Sequence, residues 1–316
     1  MERRVTADGL QDAPEGSRPP TRAGFVALIG APNAGKSTLL NALVGAKVSI
    51  VTHKVQTTRA LVRGIVIHDK SQIVFVDTPG IFTPKRRLDR AMVTTAWGGA
   101  ADADVVALLV DARKGLTDEV RAILARLSEY PSSRERVLIL NKVDLTKRDT
   151  LLALAKEANE LTKFSRTFMV SALTGDGLAD LMDYFAQNMP EGPFLYPEDQ
   201  MTDLPLRWLA AEITREKLMV RLHEELPYHS TIETEQWTET PKGVRIEQTI
   251  FVERESQRKI VLGKGGQTIK AISMAAREDI AALIERPVHL FLFVKVRENW
   301  AEDPERYREM GIEFPR

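Results

Sequence analysis

The chain has 316 residues, 43% of them apolar and 28% charged, and its basic and acidic side chains balance to a formal net charge of zero. That length suggests about two domains, and neutrality excludes a global field recruiting nucleic acid or an anionic membrane, so any such site must be a local feature. The lack of cysteine excludes disulfides, thiol catalysis and thiolate metal sites, and fits a reducing compartment.

Residues 1–22 mix charges, glycine and proline without apolar periodicity, which predicts a disordered N-terminal tail. They lack the apolar core of a signal peptide, and their acids argue against a transit peptide. No run in the chain approaches the roughly 18 apolar residues of a membrane span.

From residue 23 to residue 190 the texture is that of an α/β domain. Phe25–Gly30, Ile73–Asp77, Val105–Ala112, Arg136–Asp144 and Thr167–Leu173 are nearly continuous apolar strands, as expected where helices cover both faces of a parallel sheet. Helical stretches such as Gly35–Val44, Asp118–Glu129 and Leu151–Leu161 alternate with them, the signature of a doubly wound fold. Leu61–Ile67 is expected to pair antiparallel with the strand ending at Asp77. Residues 191–205, within a proline-rich and acidic stretch, read as a linker. A smaller α+β unit is predicted over 206–300: a long helix from Leu206 to about Glu225, strands near Thr231–Glu239 and Val244–Glu253, a helix, a glycine loop, a helix to about Glu285, and a strand over His289–Arg297. Residues 301–316 are expected to be a C-terminal tail.

The first chemical motif is GAPNAGKST, running Gly30, Ala31, Pro32, Asn33, Ala34, Gly35, Lys36, Ser37, Thr38. It follows a strand and opens a helix, so its glycines let successive N–H groups face phosphates. Lys36 can then reach the β/γ oxygens, and the Ser37 hydroxyl can ligate Mg²⁺. DTPG (Asp77, Thr78, Pro79, Gly80) ends the next strand; a carboxylate there can hold the Mg²⁺ shell, and the Gly80 N–H can meet a γ-phosphate. NKVD, beginning Asn141, Lys142 and closing on Asp144, ends another strand, and the Asp144 carboxylate can accept the N1–H and N2 amino donors of guanine, which adenine lacks. Ser171, Ala172 and Leu173 follow a further strand and offer a backbone contact to the guanine O6. Each motif alone is compatible with an ordinary turn; four in this order at strand ends are specific for GTP and GDP.

This order resembles the translation-factor-related GTPases that include the Era, Der and MnmE families. The resemblance implies that Gln56, Thr57, Thr58 and Arg59 belong to a first switch, with Thr58, or alternatively Thr57, reaching Mg²⁺ and the γ-phosphate. It also places Ile81 in the second switch, where many small GTPases carry a water-orienting glutamine. Isoleucine cannot do that. In relatives with this loop the asparagine helps bind K⁺, so Asn33 is the candidate to hold a cation that stabilises charge on transfer; the plain alternative is a loop-shaping residue. Lys36, Asn33 and Gly80 are therefore the catalytic candidates, with slow intrinsic turnover, and Ser37, Thr58 and Asp77 the metal candidates.

VLGKGGQTIK (Val261–Lys270) is a second glycine loop, but it fails as a phosphate-binding loop because no Lys-Ser/Thr pair follows Gly266. Gly263, Lys264, Gly265 and Gly266 after the apolar Ile260 resemble the Gly-x-x-Gly loop of a KH domain, which clamps single-stranded RNA. Arg258, Lys259, Lys264 and Lys270 supply a local positive patch without an intervening acid. The element order fits the type II KH arrangement. A doubly wound P-loop GTPase domain followed by one such domain resembles the Era family of ribosome-associated GTPases. That implies binding near the 3′ end of 16S ribosomal RNA, assembly of the 30S subunit, a monomer in the cytoplasm, and some peripheral membrane association, for which the sequence offers no amphipathic helix or polybasic run. Two alternatives stand beside it: a constitutive RNA-binding module with the GTPase domain as a docking body, and a Der-like GTPase, disfavoured because no second GxxxxGK[ST] occurs.

Overall fold

The computed structural model describes residues 20–131 and 134–315; most of the expected N-terminal tail lies outside the described residues. Six strands, β1 (Arg22–Gly30), β2 (Val62–His68), β3 (Ser71–Asp77), β4 (Val105–Asp111), β5 (Glu135–Asn141) and β6 (Arg166–Val170), form one sheet in the order β2-β3-β1-β4-β5-β6. All neighbours run parallel except β2, which pairs antiparallel with β3 from Val62–Asp77 to His68–Ser71. Every residue of β3 and β4 is buried, because helices cover both faces. On one face pack α1 (Lys36–Val44) and α5 (Leu178–Asn188), where Phe185 meets Phe75 edge-on at 5.6 Å. On the other lie α2 (Arg87–Asp102), α3 (Asp118–Ser128) and α4 (Arg148–Leu161).

The expected linker is not free chain. Gln72, fully buried in β3, accepts from the N–H groups of Leu195 and Tyr196 and donates to the Tyr196 carbonyl, tying 191–205 along the sheet.

The second unit stacks α6 (Leu206–Arg221) and α8 (Gln267–Ile284) on a three-stranded sheet of β7 (Ser230–Thr240), β8 (Gly243–Val252) and β9 (Val288–Val296). β7 and β8 are antiparallel, whereas β8 and β9 are parallel. The short α7 (Glu255–Leu262) precedes the glycine loop. A parallel neighbour must be reached by a crossover, and α7, the loop and α8 provide it.

The segment expected to be a tail is instead part of the core. It carries α9 (Pro304–Glu309), and Tyr307 and Ile312, with the preceding Trp300, pack on Leu88, Ala91 and Met92 of α2 and on Ala60. Burying side chains of this size contributes about 2–3 kcal/mol apiece, so the end of the chain fastens the second unit to the first.

Candidate nucleotide and RNA sites

The first loop turns sharply out of β1 because its backbone adopts conformations that side chains resist. Gly35 has φ 101°, and a Cβ there would collide with the Asn141 side-chain nitrogen. Lys36, at the start of α1, is 6% exposed and donates to the carbonyls of Gly30 (3.2 Å) and Ala31 (3.3 Å). Burial pulls its ammonium pKa down to about 8, with nearby Asp77 opposing the shift. A cation kept out of water and bonded only to carbonyls gains most from an arriving phosphate.

Asp77 is fully buried at the end of β3, and one oxygen carries all its hydrogen bonds. Ser37 Oγ reaches Oδ2 at 2.6 Å, Ser49 Oγ at 2.9 Å and Thr58 Oγ1 at 3.2 Å, while Oδ1 has no partner. Burial raises the Asp77 pKa, against the lowering pull of Lys36 and the three hydroxyls. A buried carboxylate oxygen left unpaired beside converging hydroxyls fits a hard, oxygen-preferring cation such as Mg²⁺. The hydroxyls of Ser37 and Thr58 are 2.9 Å apart. Thr57 faces elsewhere: its hydroxyl bonds Thr52 Oγ1 at 2.6 Å and the Lys54 carbonyl at 2.8 Å.

Asn33 has φ 63° and its amide nitrogen donates to the His53 carbonyl at 3.0 Å, so the amide oxygen is the atom left for a cation. Gln56 donates to Asp89 at 2.9 Å, linking the Gln56–Arg59 stretch to α2. Ile81 is 7% exposed in the core under α2, and its N–H donates to the Gly30 carbonyl at 3.0 Å. Its apolar side chain thus anchors the segment after DTPG against β1, a role a glutamine would fill poorly.

At the base end, Asn141 is 1% exposed; its Nδ2 donates to the Ala34 carbonyl at 2.9 Å and its Oδ1 accepts from Ala172 N at 3.0 Å. Lys142 sits at φ 65° and donates to the Asn33 carbonyl and to Asp111 Oδ2, each at 2.7 Å. Asp144, in the turn Val143–Leu145, is exposed. Ser171 is buried and Leu173 is 82% exposed. The four motifs thus meet along the C-terminal edge of the sheet, where β1 parts from its neighbours.

The second loop joins α7 to α8. Gly263, at φ 73°, packs so tightly on Thr268 that a Cβ would overlap its hydroxyl. Gly265 and Gly266 also have positive φ, and Lys264, Gly265, Lys259 and Lys270 are exposed. Ile260 is 57% exposed, whereas its neighbour Val261 is fully buried. An apolar side chain held at the surface beside a glycine loop is suited to the face of a base. Arg258 differs from the other cations: Nε donates to the Val294 carbonyl at 3.2 Å and one terminal nitrogen pairs with Glu255 at 3.0 Å, so it fastens α7 to β9.

Residues 25–142 match a family described as 50S ribosome-binding GTPase, and residues 225–301 match the KH domain family. A GTPase Era of Mesorhizobium japonicum is 68% identical over 308 residues, covering 97% of this chain and 99% of that protein. The chain belongs to the Era family of GTPases. A GTPase Era of Sinorhizobium medicae is 65% identical over 313 residues, covering 99% and 100% of the two chains. Among solved structures, an Aquifex aeolicus Era bound to GDP and aluminium fluoride superposes with a TM-score of 0.87 at 38% identity, covering 92% of this chain and 99% of the other. An Era in complex with MgGDPNP and nucleotides 1506–1542 of 16S ribosomal RNA gives the same score, identity and coverage.

This Era-family chain also uses residues that carry no motif. Ser49 adds a third hydroxyl to Asp77 and is itself held by Asn41 of α1, which accepts from its N–H at 2.9 Å. Asp111 braces Lys142 from the end of β4. Serine between two apolar residues and aspartate at a strand end are too common to be found by spacing. Among the described residues no group of three His, Cys, Asp or Glu side chains could hold a metal ion, and no helix is long and apolar enough to cross a membrane.

Proposed function

We propose that this protein is a GTP-hydrolysing switch that binds near the 3′ end of 16S ribosomal RNA through its KH domain during assembly of the 30S subunit. It acts as a monomer in the cytoplasm, with any contact with the membrane peripheral. The observation that carries the reading is the presence on one chain of a guanine-nucleotide crevice and an exposed Lys264–Gly265 loop, over a span that overlaps 92% with a relative holding both MgGDPNP and that RNA. Residues Gly30–Thr38 and Gly80 take the phosphates, Asp144 with Asn141 and Ser171–Leu173 takes guanine, and Lys259, Ile260, Lys264 and Lys270 with the glycines take RNA.

Ser37, Thr58 and Asp77 would hold Mg²⁺, which when bound neutralises charge on the β- and γ-phosphate oxygens. Thr58 is preferred over Thr57 because its hydroxyl reaches Asp77 at 3.2 Å while that of Thr57 is bonded within its own loop. The domain boundaries follow the two cores: 23–190 with 191–205 laid along it, then 206–300 with the closing segment docked back on α2.

If nucleotide state governs RNA binding, affinity for an oligonucleotide of the 16S 3′ end will differ by about ten-fold or more between GDP and a non-hydrolysable GTP analogue. Equal affinities in fluorescence anisotropy would favour the constitutive-module reading. Asn33 is assigned to a K⁺ ion. Hydrolysis should accordingly run about ten-fold faster in KCl than in NaCl at equal ionic strength, and Asn33→Ala, which removes the side-chain oxygen, should abolish the difference. Equal rates in the two salts would leave Asn33 a loop-shaping residue.

A further inference from the structure

Thr58 stands between two bodies. Its hydroxyl points to Ser37 and Asp77, yet both flanking residues are held by the KH unit. The Thr57 carbonyl accepts from Arg215 of α6. Arg59 turns away from the nucleotide, and its guanidinium donates to the carbonyls of Ser230 at 2.9 Å and of Pro227 and Tyr228 at 3.4 Å, where the chain enters β7. Both arginines are almost fully buried, at 4% and 1% exposed. Arg59 lies under the Trp300 ring at 5.8 Å, and Trp300 is pinned by its own bond to the His229 carbonyl at 3.1 Å.

The placement is costly enough to need an explanation. Burial and the neighbouring Arg215 cation bring the Arg59 pKa down to about 9, with Glu212 and Asp89 opposing, and Arg59 Nε is buried without a partner. Arg215 is paired with Glu212, its Nε donating at 2.7 Å, so a single carboxylate faces two buried guanidinium groups, an arrangement that does not favour docking by itself. What they supply is geometry: consecutive Cα atoms lie only ~3.8 Å apart, so fixing the Thr57 carbonyl and the Arg59 side chain fixes the backbone that carries the Thr58 hydroxyl. The next residue of α6 takes hold of the chain upstream of the switch. Glu216 accepts from Val51 N at 2.9 Å and from Lys47 at 2.7 Å, and Lys47 also pairs at 3.0 Å with Asp279 on α8, the helix that the glycine loop opens. For Glu216, burial would raise the carboxyl pKa, but these bonds and Lys217 outweigh it and the net shift is downward.

We propose that Arg59 and Arg215 are positioning residues for hydrolysis: through them the KH unit holds Thr58 at the metal site, so movement of the KH unit is felt as loss of a metal ligand. This rests on the reading of Thr58 as that ligand. It also gives the RNA-to-nucleotide coupling a specific route, with the arginine pair as the connection.

The test uses the full chain with Arg59→Ala, Arg215→Met, Thr58→Ala, and each arginine variant combined with Thr58→Ala. The readouts are kcat, KM and the Mg²⁺ concentration for half-maximal GTP hydrolysis, alongside GDP affinity as a check on the crevice. Each arginine variant should raise the Mg²⁺ midpoint about ten-fold and lower kcat, with GDP affinity held within about two-fold. In the Thr58→Ala background neither should add a further change, because both act through the missing hydroxyl. Arg59→Lys, which keeps the charge but cannot fork to three carbonyls, should not rescue. Additive effects with Thr58→Ala, or an unchanged Mg²⁺ midpoint in the arginine variants while Thr58→Ala shifts it, would overturn the positioning role alone. An unchanged midpoint in Thr58→Ala itself would overturn the ligand assignment and the inference with it.

Discussion

Asp144→Asn is expected to lower affinity for GDP and GTP by about 100-fold or more and to transfer preference to the xanthine nucleotides. The carboxylate offers two acceptors to the two donors of guanine; an amide offers one acceptor and one donor, which matches the xanthine C2 carbonyl instead. The substitution should be clean because the turn Val143–Leu145 does not depend on the Asp144 side chain. It is held before that residue by Asn141, bonded to Ala34 and Ala172, and by Lys142, bonded to Asn33 and Asp111. Displacement of a fluorescent guanine nucleotide by GDP and by XDP measures the ratio directly. An unchanged ratio would move base recognition away from Asp144.

The second large effect is expected at the other glycine loop. Replacing Lys264 and Gly265 together by aspartate should weaken binding to the 16S 3′-end oligonucleotide by about 100-fold, since two anions would stand where a polyanion must approach. Hydrolysis by the RNA-free protein should stay within about two-fold of the original. The loop can accept the change: nothing lies within 4 Å of a Cβ at Gly265, and aspartate is among the residues that tolerate its φ of 61°. Gly263, whose Cβ would strike Thr268, is left alone. Retained RNA affinity would place the binding surface elsewhere on the KH unit, and parallel loss of hydrolysis would point to a folding defect that circular dichroism detects.

The inner strands of the first unit are legible because Phe25–Gly30, Ile73–Asp77 and Val105–Ala112 are nearly continuous apolar runs, as a sheet covered on both faces requires. Their ends moved by a few residues; the run expected over Thr167–Leu173 stops at Val170, where the backbone turns to place Ser171–Leu173. α2 carries little helical signal of its own. Its sequence contains Gly98 and Gly99 and two adjacent threonines, all weak helix formers, and it is fixed by packing against Trp300 and Tyr307 rather than by propensity. The same contact gives the segment after β9 its structure. Residues 301–316 are strongly charged, and their few apolar side chains acquire meaning only against a helix some two hundred positions away. In the site, the motif residues were found because phosphate and guanine chemistry restrict residue type. The arginine connection was not, because its acceptors are backbone carbonyls, which every residue possesses.

Asn141 ties the two ends of the crevice together. One amide bonds both the phosphate loop, at Ala34, and the base-contacting loop, at Ala172. Removing that one side chain would therefore loosen both loops at once. Asn141→Ala should accordingly weaken contacts to base and phosphates together, although the side chain itself need touch neither.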